Sequence, residues 1–213
     1  MTAQVTIALV DDHRVVARSL QAYLESFPDL KVVGAAASGE ELLEHLDEWH
    51  PHIVLQDLLI PGGMDGITTT RRILERCPDV RVIALTASLD EARMQGVLQA
   101  GATGYVRKDA DPETLLAAVR AVARGRTYID PSIGRQLLTS PTQGEELTVR
   151  ETDVLRQVAL GRSNKDIAST LSVTEETVKT HVAHLLAKLH AQNRAQAIVQ
   201  ALKRGLVSLD ELH

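Results

Sequence analysis

Five short apolar runs, "VTIALV", "LKVVGAA", "HIVLQ", "VRVIAL" and "TGYV", recur through the first half of the chain. Between them lie longer stretches whose apolar residues return at helical spacing, such as Val15, Leu20, Tyr23, Leu24 and Phe27, or Leu115, Leu116, Val119 and Val122. This alternation leaves few folds open. Parallel strands need a crossover, crossover helices cover the sheet, and strands covered on both faces read as unbroken apolar runs. The pattern predicts an α/β doubly wound domain with a five-stranded parallel sheet over residues 1–124.

The strand signal ends within "ARGRTYIDPSIGRQLLTSPTQGEE". Its Pro, Gly and Ser mark residues 125–146 as a linker, in which "PSIGRQLL" has room for a short helix. Residues 147–213 read as an all-α domain. "TVRE" from Thr148 and "SNKD" from Ser163 are helix starts of the capping-box kind, and Gly161 stands where the first of these helices should stop.

Composition narrows the function classes. With 44% hydrophobic and 24% charged residues the chain can build real cores. "MTAQVTIALVDDH" has neither the basic flank of a signal peptide nor a run long enough to cross a membrane, so a cytoplasmic location without membrane contact is expected. The single cysteine, Cys77, excludes an internal disulfide. The net charge of −5 is unevenly divided: Met1 to Asp130 holds 13 basic and 19 acidic residues (−6), whereas Pro131 to His213 holds 10 and 9 (+1). Only the second part has a charge balance that tolerates nucleic acid.

In the segment "HIVLQDLLIPGGMDGITTT" an apolar strand ends on Asp57 and then breaks at Pro61, Gly62 and Gly63. A buried unpaired carboxylate costs several kcal/mol, about 2 to 7 even for a neutral polar group, so Asp57 needs an open strand end or partners. Both are to be expected. Ligands of doubly wound sheets bind beyond the carboxyl ends of the strands, where strand order reverses. There Asp11 and Asp12 follow the first strand, Asp57 ends the third, Thr86 ends the fourth and Lys108 follows the fifth. Three neighbouring carboxylates repel one another unless a cation joins them, and hard oxygen ligands with room for water suit Mg2+. With that charge neutralised, Asp57 can attack phosphorus, Lys108 can pair with a phosphoryl oxygen and the Thr86 hydroxyl can donate to it.

The stretches "LVDDH", "IVLQDLLIPGGMDG", "VIALTAS" and "GYVRKD" resemble the receiver domain of bacterial two-component response regulators, a flavodoxin-like fold. The resemblance implies Asp57 as phospho-acceptor, with Asp11, Asp12, Asp57 and the backbone carbonyl of Leu59 holding Mg2+. It further implies Thr86, Lys108 and Tyr105 as switch residues. One departure stands out: Ile60 replaces a Met of the family pattern, and an extra Gly at 62 or 63 lengthens the loop by one residue.

Leu147 to Val207 resembles the LuxR-type, or NarL/FixJ, four-helix helix-turn-helix output domain. Val178, Val182, Leu185, Leu186 and Leu189 form the expected buried stripe of its third helix, and away from it lie Lys179, Thr180, Ala183, Ala187 and Lys188. Small residues between cations let a helix lie close to a DNA groove. The resemblance places Lys179, Thr180 and Ala183 at base edges and Lys165 and Lys188 at phosphates. Implied partners are a sensor histidine kinase, double-stranded DNA carrying an inverted-repeat operator, a second copy of the chain on phosphorylation, and RNA polymerase. Two rivals remain. A phosphatase with an aspartyl-phosphate intermediate wants an acid two residues after the nucleophile, where this chain has Leu59. A regulator that works without phosphorylation would have no use for all five phosphorylation residues.

Overall fold

The structure, a computed structural model, describes residues 4–87, 90–133 and 147–208. The chain divides into two compact units, Met1–Arg124 and Gly125–His213. In the first unit strands and helices alternate: β1 (Val5–Val10), α1 (Arg14–Glu25), β2 (Leu30–Ala36), α2 (Gly39–Trp49), β3 (Ile53–Asp57), α3 (Gly66–Arg76), β4 (Arg81–Thr86), α4 (Glu91–Gln99), β5 (Gly104–Arg107) and α5 (Pro112–Ala123). The sheet order is β2-β1-β3-β4-β5-β6, where β6 is the two-residue strand Tyr128–Ile129. β1 pairs in parallel with both β2 and β3, so the order reverses at β1 and β3, and a crevice opens at their carboxyl ends.

Register then does the work of bringing distant residues together. Val10 pairs with Gln56, Asp57 with Leu85, and Thr86 with Arg107. Each pairing fixes the next rung, so Asp11 and Asp57 share a rung, Thr86 lies one rung beyond, and Lys108 follows at the end of β5. The central strands are apolar and buried throughout; β3 is buried at all five positions, Asp57 included. Helix starts follow local chemistry. Ser38, Asp65 and Asp90 accept backbone N–H bonds at the starts of α2, α3 and α4, and Pro112 opens α5, where its missing N–H costs nothing.

The sheet has six strands rather than the expected five. A Tyr-Ile pair favours extended backbone, but two residues are too few to show a periodic pattern. It falls within the segment read as linker, which also holds a helical turn over residues 131–133. Residues 134–146, with most of the "PSIGRQLL" stretch, lie outside the described residues. None of the described helices is long and apolar enough to cross a membrane.

The second unit continues with α6 (Val149–Ala159), α7 (Asn164–Leu171), α8 (Glu175–Lys188) and α9 (Arg194–Lys203). Both capping boxes form, Thr148 with Glu151 and Ser163 with Asp166. Gly161, at φ 70°, ends the first of these helices in the left-handed region that glycine tolerates best. Val154, Leu155, Val158, Ile167, Val178, Leu185, Leu189, Ile198 and Leu202 are buried. Of the expected α8 stripe, Val182 and Leu186 are only half-buried.

One ion pair in this unit was not expected from the pattern. Glu151 is buried, and its Oε2 accepts from Lys188 Nζ at 2.7 Å, tying the start of α6 to the end of α8. The Lys188 ammonium, followed by the Thr148 backbone and hydroxyl donors, holds the Glu151 carboxyl down at about 2 against the opposing effect of burial. A depressed acid pKa stabilises the fold above the unfolded value, and that stabilisation is lost as pH falls toward the folded one. Glu151→Gln is therefore expected to cost about 2 kcal/mol at pH 7, discounted from a fully buried pair because Lys188 is partly exposed. In urea titrations the gap between variant and wild type should close as pH drops from about 4.5 toward 2.

Candidate functional site

Lys108 stands at the centre of the crevice. Its Nζ donates to Asp11 Oδ2 and to Asp57 Oδ2, each at 2.7 Å, and the two acids are 2% and 1% exposed at their side chains. Burial alone would lower the lysine pKa, but the hydrogen bonds to Asp11 and Asp57 and their charges outweigh it, so the ammonium is held above its ordinary value. The other oxygen of Asp57 accepts from the Leu59 backbone N–H at 3.0 Å, and Asp11 Oδ1 accepts from the His13 backbone N–H at 2.9 Å.

Asp12 lies at the rim, its side chain 27% exposed. Its Oδ1 is nevertheless a buried atom without a hydrogen-bond donor. Ligand atoms of Asp11, Asp12, His13 and Asp57 all lie within 4.8 Å of one another. Three carboxylates against one ammonium leave the cluster negative, with one oxygen unsatisfied. The three carboxylates fit a small hard dication such as Mg2+.

Thr86 is buried at the end of β4. Tyr105, on β5, is fully buried. Burial raises its phenol pKa, partly offset by the Thr86 side chain, although no partner meets the Tyr105 Oη in hydrogen-bond geometry.

The lengthened loop is absorbed without disturbing Asp57. Gly62 takes φ 80° in open space, and a Cβ on Gly66 would come within 2.5 Å of the Asp57 carbonyl oxygen, so α3 can begin here only with glycine. Between them the Met64 N–H donates to Glu40 Oε1 at 2.6 Å. Bonds from its own and the Met64 backbone N–H hold the Glu40 carboxyl below its usual range.

The structure thus brings Asp11, Asp12, Asp57 and Lys108 together, with Thr86 and Tyr105 on adjoining strands, and it supplies the Leu59 N–H to Asp57. His13 joins the cluster without having been singled out. "DDH" is the only signal, and a histidine at a helix start gives no hint of where its ring will point.

In the second unit Lys179, Thr180 and Ala183 are exposed on α8, as is Lys165 in the first turn of α7. The sharp bend between α7 and α8 passes through Ser172 in the left-handed region at φ 53°. Lys179 Nζ is 3.3 Å from Glu176 Oε2, an exposed pair worth little. Lys188, by contrast, is held by Glu151 rather than standing free. Arg194 Nη1 donates to Asn164 Oδ1 at 3.0 Å and its Nη2 to the Arg162 carbonyl, fixing the turn before α7 against the start of α9. Burial draws that guanidinium down to about 10, with Asp166 opposing.

Comparison with known proteins gives the family. Residues 7–120 match the response regulator receiver domain, and residues 145–201 match the bacterial regulatory proteins of the luxR family. The transcriptional regulatory protein YhcZ of Bacillus subtilis, itself uncharacterised, is 40% identical over 208 residues, covering 94% of this chain and 96% of that protein. The chain belongs to the LuxR-type (NarL/FixJ) response regulators. LiaR of the same organism, a transcriptional regulatory protein, is 34% identical over 96% of this regulator and 100% of LiaR. Among solved structures, the RcsB–DNA complex aligns with a TM-score of 0.60 at 25% identity, over 94% of this regulator and 98% of that chain.

The regulator therefore couples a receiver to a LuxR-type DNA-binding domain and regulates transcription. In its receiver, Lys108 is, among the described residues, the Lys or Arg side chain that pairs with the buried Asp11 and Asp57 carboxylates. Lys108→Met should destabilise the receiver by about 3 to 5 kcal/mol at pH 7, because two buried carboxyl groups would lose their shared partner. Urea denaturation at pH 7 tests this: the deficit should largely disappear in an Asp11→Asn, Asp57→Asn background, and an equal deficit there would place the cost elsewhere.

Proposed function

We propose that Asp57 accepts a phosphoryl group from the phosphohistidine of a sensor kinase, and that this controls dimerisation and binding to an inverted-repeat operator. The observation that carries this reading is the Lys108 ammonium shared between Asp11 and Asp57 at the point of strand reversal. Asp57 Oδ1 is held by the Leu59 N–H and Oδ2 by Lys108, and Oδ2, whose ammonium partner can pass to the incoming phosphoryl group, is the attacking oxygen. As its bond to phosphorus forms, the phosphorus–nitrogen bond of the donor breaks and the electron pair returns to the donor imidazole. Lys108 then moves its hydrogen bond from the carboxylate to a phosphoryl oxygen, and the Thr86 hydroxyl turns toward another. Asp11, Asp12, Asp57 and the Leu59 carbonyl would hold Mg2+, which when bound screens the charge between phosphoryl oxygens and carboxylates.

Leu59, at the position where a hydrolase of this chemistry would carry an acid, cannot orient water, which supports a signalling protein rather than a turnover enzyme. Because Tyr105 is already buried, the switch rests on the Thr86 hydroxyl. Incubation with Mg2+ and acetyl phosphate should add one phosphoryl mass, absent in Asp57→Asn and absent with chelator. Labelling that persists in Asp57→Asn would overturn the assignment.

For the output domain, Lys179, Thr180 and Ala183 would face base edges and Lys165 a phosphate, with Lys188, already paired with Glu151, as a further and weaker phosphate contact. A cation in the first turn of α7 opposes the helix dipole, a cost that phosphate would relieve. The RcsB–DNA complex supports the reading by analogy. RNA polymerase is the further partner a transcription factor would touch, and a cytoplasmic location fits. Lys179→Ala should cost about 1 to 3 kcal/mol on the operator and narrow its advantage over random DNA. Lys165→Ala should weaken both alike and lower the salt slope by about one. Binding titrations at several salt concentrations separate the two, and an unaltered preference in Lys179→Ala would remove that residue from the base edges.

A further inference from the structure

His13 places an aromatic nitrogen among the carboxylates. Its Nδ1 is 2.8 Å from Asp12 Oδ1 and 3.4 Å from Asp11 Oδ1. A contact of 2.8 Å would ordinarily be a hydrogen bond, yet Asp12 Oδ1 has no donor in hydrogen-bond geometry. The two atoms are close without meeting the directional requirement of a hydrogen bond. That is the relation between two adjacent ligands of a third atom: around an octahedral ion with bonds of about 2.1 Å, neighbouring ligands are about 3 Å apart. The Asp11 carboxylate is divided in the same sense, with Oδ2 toward Lys108 and Oδ1 on the His13 side.

We propose that His13 Nδ1 is a ligand of the receiver's divalent ion, converting an all-oxygen site into a mixed one that favours borderline first-row ions, Co2+ and Ni2+ above all, over Mg2+. The chemistry follows from donor softness. Mg2+ gains little from imidazole, whereas nitrogen ligands strengthen binding along the series toward Ni2+ and Cu2+. The helix does not need the side chain: His13 precedes α1 without a side-chain capping bond, and the ring is 65% exposed. Substitution there leaves the fold intact.

The inference rests on the reading that the acidic cluster holds a dication, and the test separates the two. Calorimetric titration of the full chain with MgCl2 and with CoCl2 should show one competing site for both. In His13→Ala, Co2+ affinity should fall about tenfold or more while Mg2+ affinity changes less than about twofold. The Co2+ absorption spectrum should shift on losing the nitrogen ligand. Equal Co2+ affinity in wild type and His13→Ala, or parallel losses for both ions, overturns the role of His13 while the metal site stands. Failure of both ions to bind, or binding unchanged in Asp12→Asn, overturns the site itself.

Discussion

An ammonium between two buried carboxylates is the interaction on which the receiver depends. Asp11 and Asp57 lie at the ends of adjacent strands at a place the packing seals from water, and Lys108, 2.7 Å from both, supplies the opposite charge that such burial calls for. The same arrangement keeps the site incomplete. One positive charge among three acids leaves negative charge over, so the cluster still invites a cation. The lysine that stabilises the resting state is also the group a phosphoryl oxygen would claim. Because its two bonds come from different strands, any new partner for Lys108 is felt at the ends of β1, β3 and β5 together.

The output unit relies on a comparable device with a different purpose. Glu151 and Lys188 join the first turn of α6 to the last turn of α8, and Arg194 ties the turn before α7 to α9. Buried polar links of this kind add little net stability over apolar packing but fix the register of short helices. What they fix here is the angle at which Lys179, Thr180 and Ala183 are presented. They also engage the charges of Lys188 and Arg194 within the domain. With Lys188 neutralised by Glu151 and Lys179 beside Glu176, one copy of the domain carries a small positive field, consistent with two copies acting on one operator.

Much of this was legible in the sequence because it is periodic or local. Strand runs, helical stripes and the Thr148 and Ser163 capping boxes are short-range patterns. The crevice followed from one rule, that residues just past parallel strands share an edge. What escaped was set by tertiary geometry. β6 is two residues long and has no period to detect. The His13 ring direction depends on how α1 leaves β1. Lys188 looked like a surface cation because nothing near it in the chain is acidic; its partner is 37 residues away, inside a capping box whose glutamate already had a local explanation.

The extra glycine that the resemblance implies lies where the fold has room to take it up. Asp57 is fixed from behind by β3 and in front by the Leu59 N–H, while Gly66 packs directly on its carbonyl. The extra length must therefore appear between Leu59 and Gly66. It does so at Gly62, whose left-handed backbone faces open space, and the chain is recaptured two residues later by Glu40 from α2. Asp65 then caps α3, so helix and strand recover their positions. The loop thus bulges at its outer rim, beside the crevice, while Asp57 stays fixed by β3, the Leu59 N–H and the close packing of Gly66.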